Sequence, residues 1–192
     1  NWAYFANGFF VPLFFFVSGL TLNQLSLKKK FPRLIKPYLF FSVLFILLNI
    51  ISHQQDINKY NLLGVFYSRY QLYANDYINN NLIFMNLGNA TLWFLTSMFS
   101  AFVLLKLILI SGVKNQVVIS SIYILIAYLL TYSPILLPWS IDTAFIASVF
   151  MVAGMNYKRL KATSWKWIVL AIVVYGVAVY LNGYTNMSIR EY

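Results

Sequence analysis

Hydrophobic residues in this chain come in long unbroken runs separated by short polar intervals. They lack the every-other-residue alternation of a half-buried strand or a membrane barrel. A helix needs ~20 mostly apolar residues to cross a hydrocarbon core, and six runs approach that length: residues 3–22, 34–51, 91–110, 116–132, 141–157 and 167–181. The pattern predicts an all-α fold, a polytopic membrane bundle of about six transmembrane helices in which residues 1–192 form a single membrane-embedded domain. Two irregularities interrupt it. Pro12 falls inside the first run, where it removes a backbone hydrogen bond and predicts a kink. The interval 52–90 is long for a bundle connection. It mixes Tyr60, Tyr67, Tyr70, Tyr73 and Tyr77 with two apolar patches, LLGVFY and NLIFMNL. These are too short to span, so they are expected to lie along the membrane interface or re-enter it.

Composition agrees with a bilayer as the solvent: 61% of residues are hydrophobic, 9% are charged and the mean hydropathy is +0.72. Charge then orients the bundle, because cytoplasmic connections collect Lys and Arg. Alternate connections hold Lys28, Lys29, Lys30, Arg33 and Lys36, then Lys106 and Lys114, then Lys158, Arg159, Lys161 and Lys166, which is eleven of the fourteen basic residues. The other side keeps Lys59, Arg69 and Arg190 and all four acids, Asp56, Asp76, Asp142 and Glu191. Both chain ends are therefore expected outside. The net charge of +10 is accounted for by this bias, and no nucleic-acid partner is implied. Lys106 lies about one turn from the cytoplasmic end of its run and can snorkel out. With no cysteine and one histidine, His53, the chain cannot supply a disulfide, a thiolate nucleophile or a histidine metal cluster.

The densest candidate chemistry lies between Pro12 and Pro37, where PLFFFVSGLTL leads into KKKFPRLIKP. Lys30, Arg33 and Lys36 are spaced by three, so a helix brings them to one side, and Pro32 and Pro37 are compatible with helix starts. A guanidinium with two ammonium groups suits the phosphates of a nucleotide-containing donor such as coenzyme A. Contact with anionic membrane lipids is the plainer use of the same cluster. Ser18 and Gly19 stand at the same boundary, where glycine admits close approach by a ligand or by another helix. On the outer side, Trp93 and Trp139 read as interfacial anchors. Asp142 reads as a cap on the helix it opens, or else as an acceptor-side residue together with Trp93. His53 reads as a solvated loop residue.

PLFFFVSGLTL with KKKFPRLIKPYLFFS, then TLWFLTSMF, then LPWSIDTAFIASVFMVAGMNYK, resembles the acyltransferase type 3 family of polytopic membrane acyltransferases, particularly its fucose 4-O-acetylase-like branch. The resemblance implies transfer of an acyl group, usually acetyl from acetyl-CoA on the cytoplasmic side, to a hydroxyl of a cell-surface glycan. Acyl-CoA is then a co-substrate, and no bound cofactor or metal is implied. The family's Arg-x-x-Arg motif, associated with the acyl donor, corresponds to Lys30-Phe31-Pro32-Arg33, and its Ser-Gly pair to Ser18 and Gly19. Its essential histidine lies on an earlier span, at a position that His53 does not match. The chain opens at Asn1, and its tail NGYTNMSIREY reads as the start of an outer loop. It is accordingly expected to be a fragment, truncated at the N-terminus and at the C-terminus, inactive alone because the histidine span is absent. Abundant Asn, Ile, Lys and Tyr point to an AT-rich bacterial source and hence to the bacterial cytoplasmic (plasma) membrane. The sequence leaves the oligomeric state open.

The competing class is a non-enzymatic membrane protein, a glycan or lipid transporter or an export partner. Transporters more often show matching interrupted spans in two halves, and here a single mid-span proline has no counterpart. If the cationic motif serves the donor, replacing Lys30 and Arg33 together in the full-length protein raises the acyl-CoA concentration required for activity and leaves membrane insertion intact. Unchanged donor dependence contradicts that reading.

Overall fold

The computed structural model describes residues 2–52, 59–74 and 92–157, together with Val173, Val177 and Met187. Six α-helices are present among them: α1 (Trp2–Leu20), α2 (Leu27–Ile51), α3 (Lys59–Tyr67), α4 (Trp93–Ile110), α5 (Gln116–Thr131) and α6 (Ile141–Asn156). Four helical segments are long and apolar enough to cross a membrane: Leu27–Leu48, Trp93–Ile110, Val113–Thr131 and Pro138–Asn156. The predicted runs and the observed helices agree closely for α1, α4, α5 and α6. The run at 167–181, apart from Val173 and Val177, and the NLIFMNL patch lie outside the described residues, as do His53 and the basic residues 158–166.

Helix α2 departs from expectation at its start. It begins at Leu27, so the lysine cluster forms its first turns and Pro32 and Pro37 lie inside it. Pro32 is the sixth residue of α2 and Pro37 the eleventh, so each forgoes one i→i−4 hydrogen bond, which a membrane helix tolerates when its surroundings make up the loss. The helix nevertheless runs on for about four turns beyond Pro37. Helix α1 likewise continues through Pro12 and is not broken there. The LLGVFY patch lies within α3, a helix of nine residues.

The core forms where α4 and α6 pack together. Ala101, Phe102, Leu105 and Ile108 of α4 meet Ala144, Ala147, Met151 and Val152 of α6, with Phe15 of α1 and Tyr123 of α5 joining from either side. Lipid tails are as apolar as leucine, so burial of hydrocarbon alone does not hold membrane helices together. Close approach of small residues does. A Cβ added to Gly19 would overlap the Met151 backbone, and one added to Gly154 would overlap the carbonyl of Phe16. Each helix thus presents a glycine to the other's main chain. Val117, Val118, Leu125 and Leu129 of α5 are exposed; in a bilayer they meet acyl chains, which satisfies them as a protein core would.

Gly19→Leu or Gly154→Leu therefore wedges α1 from α6. Each is expected to destabilise the bundle by about 1–3 kcal/mol or more, the cost of overpacking a tight contact. Thermal unfolding in detergent should show the loss. Ala153→Leu, at an exposed position of α6, should leave the midpoint unchanged.

Candidate active site

Helices α2, α4 and α6 carry polar side chains on the faces they turn inward, and these converge with residues 68–74 and 134–142. Ser42, Ser68, Arg69, Thr96, Ser97, Ser100, Ser140, Asp142, Thr143 and Ser148 are all buried. Buried polar groups must find partners or cost free energy, and more so where lipid replaces water. Their partners show how the site is assembled.

At its centre the Arg69 guanidinium forms an ion pair with Asp142, with the two side chains 2% and 0% exposed. The remaining capacity of the carboxylate is used by backbone donors: the Leu137 N–H donates to Oδ2 at 3.1 Å and the Thr143 N–H to Oδ1 at 2.8 Å. Arg69 also donates through Nε to the Leu137 carbonyl at 3.2 Å. Asp142 lies in the first turn of α6, where a negative charge meets the positive end of the helix dipole. One buried pair thus ties the strand-like stretch after α3 to the segment that enters α6.

Neighbouring contacts repeat that tie. The Tyr67 hydroxyl donates to the Leu136 carbonyl at 2.6 Å, and the Trp139 Nε1–H donates to the Phe66 carbonyl at 2.7 Å. Leu136 N–H donates to Leu72 O and Ala74 N–H to Pro134 O, both at 2.8 Å, around an isolated antiparallel bridge between Tyr73 and Ile135. Burial raises the Tyr67 pKa above the ordinary tyrosine value; Arg69 opposes the shift and Asp142 adds to it. The phenol is therefore a neutral donor at physiological pH.

The backbone is strained where these segments turn. Ser68, Trp139 and Ser140 all have positive φ, at 57°, 54° and 53°. A non-glycine residue in that region costs about 1–2 kcal/mol. Such strain persists only where the surroundings over-determine it, and it clusters at functional sites. The fixing contacts are the Ser100 hydroxyl on the Trp139 carbonyl at 2.9 Å and the Ser68–Thr96 hydroxyl pair at 2.7 Å, both anchored on α4. From α2, the Tyr38 hydroxyl reaches the Val65 carbonyl at 2.5 Å.

One basic residue, Lys30, approaches the same helix near its middle. The ammonium of Lys30 lies 4.5 Å from the centroid of the Phe102 ring. Phe31 packs edge-on to Phe99 at 5.3 Å, and Phe99 packs to Trp139 at 6.1 Å. Along α4, therefore, Thr96 and Ser100 carry the contacts of the Arg69–Asp142 cluster and Phe102 carries the cation of α2. Thr96 and Phe102 are separated by about 9 Å of helix rise.

The residues picked out from the sequence fall into two groups. Lys30, half-buried, and Arg33 and Lys36, exposed, open α2; Ser18, half-buried, and Gly19, buried against Met151, close α1 at the same end. Asp142 belongs to the opposite cluster. It is not the cap expected from the sequence, since Ser140 is the N-cap of α6; Asp142 lies inside the first turn, accepts from the Thr143 N–H and carries the ion pair. Trp93 is half-buried beside Phe94, and Trp139 is built into the cluster through its ring and its backbone. Sequence reasoning passed over Arg69 as loop charge and gave Ser68, Thr96 and Ser100 no role. Charges in a bilayer rarely stay unpaired, so an arginine and an aspartate expected on the same side of a largely apolar chain were the available signal.

Removing one partner of the pair leaves the other buried without compensation, a loss expected at about 3–5 kcal/mol. Arg69→Ala and Asp142→Ala should each lower the unfolding midpoint in detergent and expose 68–74 to protease. Arg69→Met with Asp142→Leu should recover part of the midpoint. Single variants as stable as the wild type would contradict a buried pair.

The comparisons with known proteins agree with the architecture. The acyltransferase type 3 family model, described as an acyltransferase domain, matches residues 1–190. No curated protein and no solved structure matches the chain. A family match over nearly the whole chain, on a helical membrane bundle whose two polar clusters meet along one helix, makes this chain a member of the acyltransferase type 3 family.

Proposed function

We propose that the protein is a membrane O-acyltransferase that takes an acyl group, in the first instance acetyl, from acyl-CoA on the cytoplasmic side and passes it to a hydroxyl of a cell-surface glycan. The observation that carries this reading is the short separation along α4. A bilayer core is ~30 Å thick, yet the contacts of Lys30 and those of the Arg69–Asp142 cluster lie on α4 within about 9 Å of rise. Substrates entering from opposite ends would have their reacting groups brought together there. Holding two reactants in near-attack geometry is itself a large part of catalysis.

In this reading the exposed Arg33 and Lys36 receive the phosphates of the donor beside the α1–α2 connection, where Ser18 and Gly19 close α1. The acceptor is held on the other side, between Trp93, Trp139 and the segments that Asp142 fixes. Aromatic faces and amide side chains in 52–90 suit a sugar. A general base takes the proton of the acceptor hydroxyl, the role that the family's histidine would fill. The location that goes with this chemistry is the bacterial cytoplasmic membrane, with the basic end facing the cytoplasm.

The test is a transfer assay on membranes containing the full-length protein and radiolabelled acetyl-CoA. Label is expected in the glycan fraction, with acetyl-CoA consumed in step, and Arg33→Ala should raise the KM for acetyl-CoA about tenfold. Membranes that consume no acetyl-CoA, yet move a glycan or lipid across the bilayer, would establish the transport alternative.

A further inference from the structure

The seam between α5 and α6 is open at the end where α5 begins and α6 finishes. A groove of about 430 Å³ runs along it, within the range of about 300–1,000 Å³ that small-molecule pockets occupy. Gln116, Ser120 and Ile124 recur every four residues and so share one face of α5, and Val149, Ala153 and Asn156 line the groove from α6 in the same way. The small side chains of Ser120 and Ala153 leave the gap. Deeper along the seam Tyr123 packs edge-on to Phe145, with ring centroids 5.1 Å apart, and fills it. Ile124 and Ala153 are exposed, on helical segments long and apolar enough to span a membrane, so the groove opens toward hydrocarbon.

Its polar groups narrow the choice of occupant. The Oγ of Ser120 is buried and has no hydrogen-bond partner, not even the carbonyl one turn back that helical serines commonly use. A hydroxyl without an acceptor costs free energy in lipid, and a carbonyl placed in the groove would recover it. One turn nearer the mouth, the Asn156 amide approaches Gln116 Oε1 at 3.5 Å and donates to the Val152 carbonyl at 3.0 Å. Lys114 stands just before α5 and is exposed, and in sequence Lys158 and Arg159 follow α6 closely. From depth to mouth the groove thus offers apolar walls, one hydroxyl donor, an amide pair and a cation. A phospholipid presents the complementary order of acyl chain, ester carbonyl, glycerol and phosphate. Lys114 and Ser120 are separated by about 9 Å of helix rise, comparable with the polar layer of one leaflet, about 5–8 Å deep. A zwitterionic lipid would satisfy the walls and the hydroxyl and gain less at the cation.

We propose that this groove binds one anionic phospholipid, with an acyl chain laid between α5 and α6, an ester carbonyl accepting from the Ser120 hydroxyl and the phosphate beside Lys114. The site stands apart from the Arg69–Asp142 cluster and from the start of α2, and it holds whether or not the protein transfers acyl groups. A lipid bound there bridges α5 to α6 and stabilises the bundle by mass action.

The test is native mass spectrometry of the full-length protein, delipidated in detergent and titrated with phosphatidylglycerol, phosphatidylcholine or the diether analogue of phosphatidylglycerol, which lacks the ester carbonyls. One phosphatidylglycerol is expected to bind about fivefold more tightly than phosphatidylcholine, the gain from one lysine beside an anionic headgroup, and Lys114→Gln should abolish that preference. The diester is expected to bind about threefold more tightly than the diether, in keeping with the net value of a hydrogen bond. That second preference should vanish in Ser120→Ala, whereas a mere packing role for Ser120 would weaken both lipids alike. Ser121→Phe, which fills the groove from an exposed position, should lower the affinity about tenfold by steric exclusion and leave the thermal midpoint of the lipid-free protein unchanged. Equal affinity for phosphatidylglycerol and phosphatidylcholine, an ester preference that survives in Ser120→Ala, or undiminished binding to Ser121→Phe overturns the proposal. So does equal binding of diester and diether by the wild type, which would mean that water satisfies Ser120. A full-length protein that binds no phospholipid, as a monomer or a dimer, shows that another helix or a second copy covers the groove, and overturns it too.

Discussion

The buried ion pair between Arg69 and Asp142 is the constraint on which the packing of 68–74 against 134–142 depends. Two unlike charges in a low-dielectric interior attract strongly, but removing them from water costs nearly as much. What the pair supplies is placement. Asp142 is fixed by two backbone N–H groups and by the start of α6, and Arg69 follows α3 directly, so their meeting sets the position of 68–74 against 134–142. With that register set, Tyr67, Trp139 and the Tyr73–Ile135 bridge fall into their partners, and the left-handed residues Trp139 and Ser140 are held in place.

The end of the bundle where α1 closes and α2 opens is built differently. There the chain uses close backbone approach, with Gly19 and Gly154 seating α1 on α6, and a helix start rich in cations. Helix α4 joins the two halves. It presents Thr96 and Ser100 to one cluster and Phe99 and Phe102 to the aromatic and cationic groups of α2. Much of its inward face is small or polar, and the Thr96 and Ser100 hydroxyls are satisfied by Ser68, Trp93 and Trp139. The same face that packs the bundle also shortens the path between its two ends.

Most of the fold was legible in the sequence because lipid imposes one rule: a spanning segment must be apolar and must satisfy its own backbone. The runs at 91–110, 116–132 and 141–157 accordingly match α4, α5 and α6 to within a residue or two. The start of α2 was misjudged because hydropathy reports where the bilayer begins and not where the helix does. A helix can carry Lys28, Lys29 and Lys30 in its first turn while they stay in water. The site was legible only in pieces. The motif at Lys30 and Arg33 was visible as charge, but the contact of Lys30 with the Phe102 ring, seventy-two residues on, was not. Arg69 and Asp142 are seventy-three residues apart, and nothing local to either names the other. The hydroxyls of Ser68, Thr96 and Ser100 carried no signal at all, since serine and threonine are common in membrane helices for packing alone.

Acyl transfer between opposite sides of the bilayer is the claim that joins these observations, and sided proteoliposomes test it most directly. The full-length protein is reconstituted with radiolabelled acetyl-CoA facing its basic end and a fucosylated oligosaccharide confined to the other compartment. Label is expected on the oligosaccharide in that opposite compartment, with free coenzyme A thiol appearing on the donor side in equal amount. Transfer that occurs only when donor and acceptor share one compartment would contradict the account.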